Sequence, residues 1–94
     1  MIKHIVCFKL KKGESAEKAA EILRSMKGKV KEIIDIEVGV DFLKSERSYD
    51  VILQVVLNDE TALNAYQNDT YHCSVVKEYM HKVRETSVAI DYYI

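Results

Sequence analysis

The chain has 94 residues, 48% apolar and 31% charged, which fits one compact domain with its own core and excludes a multidomain, disordered or fibrous protein. Formal net charge is −1, and no stretch approaches the ~18 apolar residues that a membrane span needs. A domain this short buries only ~60–65% of the surface its unfolded chain exposes, so further burial is expected from self-association.

Residues 2–11 alternate. Ile2, His4, Val6, Phe8 and Leu10 fall on one side and Lys3, Ile5, Cys7, Lys9 and Lys11 on the other, the period of a strand. The chain enters this strand without the long apolar run of a secretory signal, which points to a cytoplasmic protein. Gly13 breaks the strand and Ser15 suits a helix N-cap. Ala16, Ala19, Ala20, Ile22, Leu23 and Met26 then recur at helical spacing, and Gly28 can end the helix. Residues 34–43 return to period two with Ile34, Ile36, Val38 and Val40 on one face. Tyr49 to Leu57 follows as the strongest strand, with Tyr49, Val51, Leu53, Val55 and Leu57 along one side.

Asn58-Asp59-Glu60 has capping chemistry, so a helix is predicted from about 60 to 67 with Ala62, Leu63 and Tyr66 inward. Asn68-Asp69-Thr70 repeats the cap signal. A second helical stretch then runs from about Tyr71 to Val83, burying Val75, Val76, Tyr79, Met80 and Val83, and a last strand lies near Ser87 to Tyr93. The order βαββαβ is the α+β, ferredoxin-like arrangement, in which right-handed crossovers put both helices on one face of a four-stranded antiparallel sheet. The other face carries Ile5, Cys7, Ile52 and Val56, and its exposure predicts a homodimer paired through the sheets.

Charge and cysteine usage narrow the function classes. Residues 1–47 carry 11 Lys/Arg against 8 acids and residues 48–94 carry 3 against 7. The basic residues of the first half are interleaved with Glu14, Glu17, Glu21 and Glu32, the pattern of a solvated face rather than of a nucleic-acid surface. Cys7 and Cys73, with His4, His72 and His81, form no ligand spacing, so neither a metal nor a disulfide is expected.

Three stretches resemble the stress-responsive A/B barrel domain family of the dimeric α+β barrel superfamily. They are Ile2-Lys3-His4-Ile5-Val6-Cys7-Phe8-Lys9-Leu10-Lys11; Ile36-Glu37-Val38-Gly39 with Tyr49-Asp50-Val51; and Ala65-Tyr66 followed by His72, with Asp91-Tyr92. The resemblance spans nearly all of residues 1–94 and implies one domain, a sheet-paired homodimer and no cofactor. The family includes plant stress proteins and a plant polyketide cyclase, and by motif position the cyclase's tyrosine and histidine correspond to Tyr66 and His72. A second pocket histidine is kept as His4, whereas Val51 stands where the cyclase has another, and Asp69-Thr70 stands where the family commonly has His-Pro.

Chemically the pairing is sensible. An imidazole with an ordinary pKa of ~6.5 can act as a base near neutrality, and a phenol can donate to a developing enolate. The same residues also suit plainer roles: His72 as a local hydrogen-bonding group, Tyr66 and His4 as core packing, and His81 as a surface residue at a helix end. The expectation is a small apolar pocket with polar points at Tyr66, His72 and His4 and walls of Val6, Phe8, Ile22, Leu23, Val51 and Leu53, taking a small aromatic or ketonic molecule. The alternatives are a cofactor-free cyclase or isomerase using Tyr66 and His72, and a purely structural stress protein.

Overall fold

A computed structural model describes all 94 residues, Met1–Ile94. The elements are β1 (Ile2–Leu10), α1 (Ala16–Arg24), β2 (Asp35–Val40), β3 (Val51–Leu57), α2 (Glu60–Gln67), a π-helical segment (His72–Lys77), α3 (Glu78–Val83) and β4 (Arg84–Tyr93). The strands form one antiparallel sheet in the order β2-β3-β1-β4, the ferredoxin-like arrangement.

Side-chain chemistry at the ends explains where the helices begin. The Ser15 hydroxyl accepts from the Lys18 amide at 3.1 Å, and the Asp59 carboxylate accepts from the Ala62 amide at 2.8 Å, each satisfying a donor that has no partner within its helix. Asp69 starts the last helical stretch: its carboxylate accepts from the His72 amide at 3.0 Å and its carbonyl from the Cys73 amide at 2.9 Å. Helix α1 ends at Arg24, before Gly28, because residues 25–29 pass into turns.

Alternation fixes the two faces of the sheet. Pairing of Ile2 with Leu57, His4 with Val55, Val6 with Leu53 and Phe8 with Val51 puts all of these under the helices. They join Ala19, Ala20, Leu23, Met26, Val30, Tyr66, Val76, Met80 and Val83 in the core. The other face bears half-buried Ile5, Cys7, Ile52 and Val56, as the alternation predicts. Register adds Val88, Ile90 and Tyr92 of β4 opposite Cys7, Ile5 and Lys3, at 50%, 60% and 41% exposure. No helix packs on that side of the sheet.

Some expectations need correction. Strand β2 is shorter than residues 34–43, and Ile34 is exposed. Strand β3 starts at Val51 rather than Tyr49, and β4 begins at Arg84, three residues earlier than Ser87. Val75 is also exposed, because the π-helical segment bonds in wider i+5 steps, while Val76 beside it is buried as expected.

Leu57 is fully buried. Leu57→Ala should destabilise the fold by about 2–5 kcal/mol, through lost burial and the residual cavity, which a shift of the urea midpoint at constant slope would register.

Candidate functional site

Helix α2 ends in carbonyls that have no partner within the helix, and side chains from the next segment take them up. The His72 ring donates from Nδ1 to the Tyr66 carbonyl at 2.9 Å, while Lys77 Nζ at 2.9 Å and Cys73 Sγ at 3.4 Å donate to the Gln67 carbonyl. These bonds lock the π-helical segment against α2. They also fix the His72 tautomer: Nδ1 must carry the hydrogen because a carbonyl can only accept, so Nε2 of the neutral ring presents a lone pair.

His4 reaches the same place from the sheet. It pairs across β1 and β4 with Asp91, and its Nδ1 lies 2.5 Å from the Asp91 carboxylate. The Tyr66 ring sits between the two imidazoles, edge-on to His4 with centroids 5.5 Å apart and tilted by 33° against His72 at 4.3 Å. Both histidines are buried, and Tyr66 has no exposed surface at all.

Burial first, and the negative charge of Asp91 second, push the Tyr66 phenol well above its ordinary range, so it stays protonated at any physiological pH. Its hydroxyl is the one buried side-chain polar atom of the chain without a hydrogen-bond partner. Burial is also the leading reason the His72 pKa is lowered. The hydrogen bond to the Tyr66 carbonyl and Asp69 oppose that shift, while the charges of Lys77 and His4 add to it. At neutral pH His72 is therefore a neutral imidazole beside a protonated phenol.

A cavity of about 310 Å³ opens beside these groups, between the β1–β4 side of the sheet and the π-helical segment with α3. It exists because the helices leave β4 uncovered, most of whose residues are exposed. Of the expected pocket residues, His4, Val6, Phe8, Leu23, Leu53, Tyr66 and His72 line it. Ile22 and Val51 do not. Successive helix positions lie 100° apart, so Leu23 faces the cavity while Ile22 packs against the edge of the core. Val51 pairs with Phe8 on the side of β1 away from β4 and is sealed in the core.

The sequence reading missed Gln67, Lys77, Arg84, Ser87 and Ala89 as lining residues, and took Val76 and Met80 only as core. His81 is exposed, as expected, yet stands on the cavity as well. A signal was available for part of this set, since His72, Val76 and Met80 recur every four residues and Lys77, His81 and Arg84 run beside them.

The chain matches the stress responsive A/B barrel domain (Dabb) family over residues 2–94. It belongs to that family. No curated protein sequence matches the chain. Among solved structures, it is similar to a dimeric ferredoxin-like protein of unknown function from Thermobifida fusca, at TM-score 0.85 and 20% identity, covering 99% of this chain and 90% of that one. A dimeric protein of unknown function with a ferredoxin-like fold from Bacteroides fragilis matches at TM-score 0.79 and 22% identity, over 99% and 95% of the two chains. A hydroxynitrile lyase from Passiflora edulis matches at 0.82 and 14%, over 99% and 92%. This Dabb chain thus shares its fold with dimeric proteins and with an enzyme, and no helix in it is long and apolar enough to cross a membrane. It also contains no cluster of three potential metal-ligating His, Cys, Asp or Glu side chains.

The lowered His72 pKa has a stability consequence with a definite sign. Between the folded value and the ordinary ~6.5, the unfolded chain binds more protons at this residue, so the His72 contribution is favourable above ~6.5 and is lost as pH falls through that window. His72→Gln should flatten the fall in stability between pH 7.5 and pH 5.5 measured by urea unfolding. Its imidazole resonances in the wild-type protein should titrate below ~6.5.

Proposed function

We propose that this Dabb protein is a homodimer whose cavity binds a small apolar or aromatic molecule carrying one carbonyl or hydroxyl group. The unpartnered Tyr66 hydroxyl carries this reading. A buried hydroxyl without a partner costs about 1–3 kcal/mol, and a ligand oxygen that reaches it by displacing the side chains closed over it recovers the lost hydrogen bond. Val6, Phe8, Leu53, Val76 and Met80 supply apolar wall, and the volume of about 310 Å³ suits a ligand of one or two rings. A titration of acetophenone followed by NMR should move the resonances of cavity residues, and Tyr66→Phe should weaken binding by about tenfold. Equal affinity in the variant, or no response at the cavity, would remove this reading.

The bare apolar sheet face supports the homodimer. Ile5, Cys7, Ile52, Val56, Val88, Ile90 and Tyr92 share that face, and two structures of the same fold are described as dimeric. Covering about 400 Å² of apolar surface per subunit is worth on the order of 10 kcal/mol before association entropy is subtracted. Ile90→Asp places a carboxylate where a lone subunit already exposes the side chain. It should therefore produce folded monomers of 10.8 kDa in light scattering without lowering the stability of the single subunit. A dimer that persisted would place the interface elsewhere.

The state of His72 favours proton transfer as a second reading. Its Nε2 lone pair is suited to take a proton from carbon next to a ligand carbonyl, while the Tyr66 hydroxyl donates to the enolate oxygen that develops, the chemistry of an isomerase or a cyclase. The base must be neutral, so exchange of such a carbon-bound proton for deuterium should fall off only as pH drops through the lowered His72 pKa, below ~6.5. His72→Gln should abolish exchange while leaving binding. If binding occurs with no exchange at any pH, the site is a receptor and not an enzyme.

A further inference from the structure

Strand β4 carries an irregularity next to the cavity. Its register on β1 runs evenly from Tyr93 opposite Ile2 to Thr86 opposite Lys9, then jumps so that Arg84 lies opposite Leu10 and Glu85 has no partner. In a regular strand, alternate residues share a face, so Arg84 would fall on the opposite side from Ser87. The extra residue reverses that parity. Arg84 comes onto the helix side with Leu10 and lines the cavity together with Ser87. Bulges re-aim side chains in this way, often beside functional sites.

The re-aimed guanidinium is not there to complete a pair. The chain has two ion pairs, His4 with Asp91 and Lys82 with Glu78, and neither involves Arg84. Lys77 gives one hydrogen bond to the Gln67 carbonyl and has no carboxylate partner, and the exposed His81 stands beside it on the cavity. No Asp or Glu lines the cavity. Residues 48–94 have three Lys/Arg against seven acids, yet two of those three cations, Lys77 and Arg84, are at this one place. A locally basic cavity on the acidic half of a chain is a concentration of charge that mean composition does not produce.

We infer that the bulge at Glu85 builds an anion subsite from Arg84 and Lys77 at the cavity, so that the ligand is an amphiphilic acid with its apolar body among Val6, Leu53 and Met80, an oxygen at Tyr66 and a carboxylate at Arg84. This rests on the proposed ligand-binding role and names the substrate class for it. Arg84 presents planar paired donors that match a carboxylate, and Lys77 adds a point charge with two donors left over. The buried end selects for an uncharged oxygen and apolar surface, whereas the cationic end sets polarity and orientation.

The test compares 4-oxo-4-phenylbutanoate and 5-oxo-5-phenylpentanoate, each against its methyl ester, by NMR titration of the full chain at low salt. The acids should bind at least ~10-fold more tightly than the esters, and the difference should shrink as salt rises. Arg84→Gln should cut the acid-to-ester ratio more than any other single change, by lowering the affinity for the acids more than for the esters. Lys77→Gln should reduce the ratio in part, and Lys82→Gln, on the outer surface with Glu78, should leave it unchanged. Esters that bind as well as the acids, or an acid preference that Arg84→Gln leaves undiminished, would overturn the anion subsite while leaving the ligand-binding role in place. If neither acids nor esters bind, the ligand-binding role fails and the subsite fails with it.

Discussion

The phenol of Tyr66 is the centre on which the rest of the site depends. Its ring is clamped between His4 from the sheet and His72 from the π-helical segment, and its own carbonyl holds the His72 ring in one tautomer. A single residue thus fills the core, orients an imidazole and carries a buried hydroxyl with no partner. Folding normally satisfies buried polar atoms, and leaving one unsatisfied costs stability that a purely structural core would avoid by using phenylalanine. That cost is the main physical support for the proposed ligand.

The second constraint is coverage. One nine-residue helix and a broken helical region in segments of eight, six and six residues, all on one side, cannot cover both sides of a four-stranded sheet. They cover β2, β3 and much of β1 and leave two surfaces open. The helix side of β4 becomes the cavity, and the far side of the sheet becomes the apolar face of Ile5, Ile52, Val88 and Ile90. The proposed ligand site and the proposed association surface therefore share one cause. They also share β4, whose alternate residues line one and then the other.

Much of the fold was legible because period two and period 3.6 are both unambiguous in this chain. Alternation from Ile2 to Leu10 and from Val51 to Leu57 set the faces correctly, and Ser15, Asp59 and Asp69 marked helix starts that side-chain bonds confirm. Within the site, family resemblance suggested Tyr66, His72 and His4 together, and the Tyr66 ring lies 5.5 Å from that of His4 and 4.3 Å from that of His72. Other features depend on pairings that no local window contains. The parity of Arg84 is set by its register against Leu10, and the outward turn of Val75 by a switch from i+4 to i+5 bonding. Val51 and Ile22 were expected to wall the pocket because they are apolar and adjacent in pattern to residues that do. Which apolar residues face a void rather than another side chain is decided by how far the helices reach over the sheet.

Denaturant unfolding of ligand-free Tyr66→Phe tests the central claim most directly, because removing the hydroxyl oxygen changes little else in the core. If the hydroxyl is held unpartnered for a ligand, the variant should be more stable than the wild type, by on the order of 1 kcal/mol, with an unchanged slope against denaturant. A loss of stability of similar size would mean that the hydroxyl already has a partner within the folded protein, and the account of a site kept ready for an oxygen-bearing ligand would not stand.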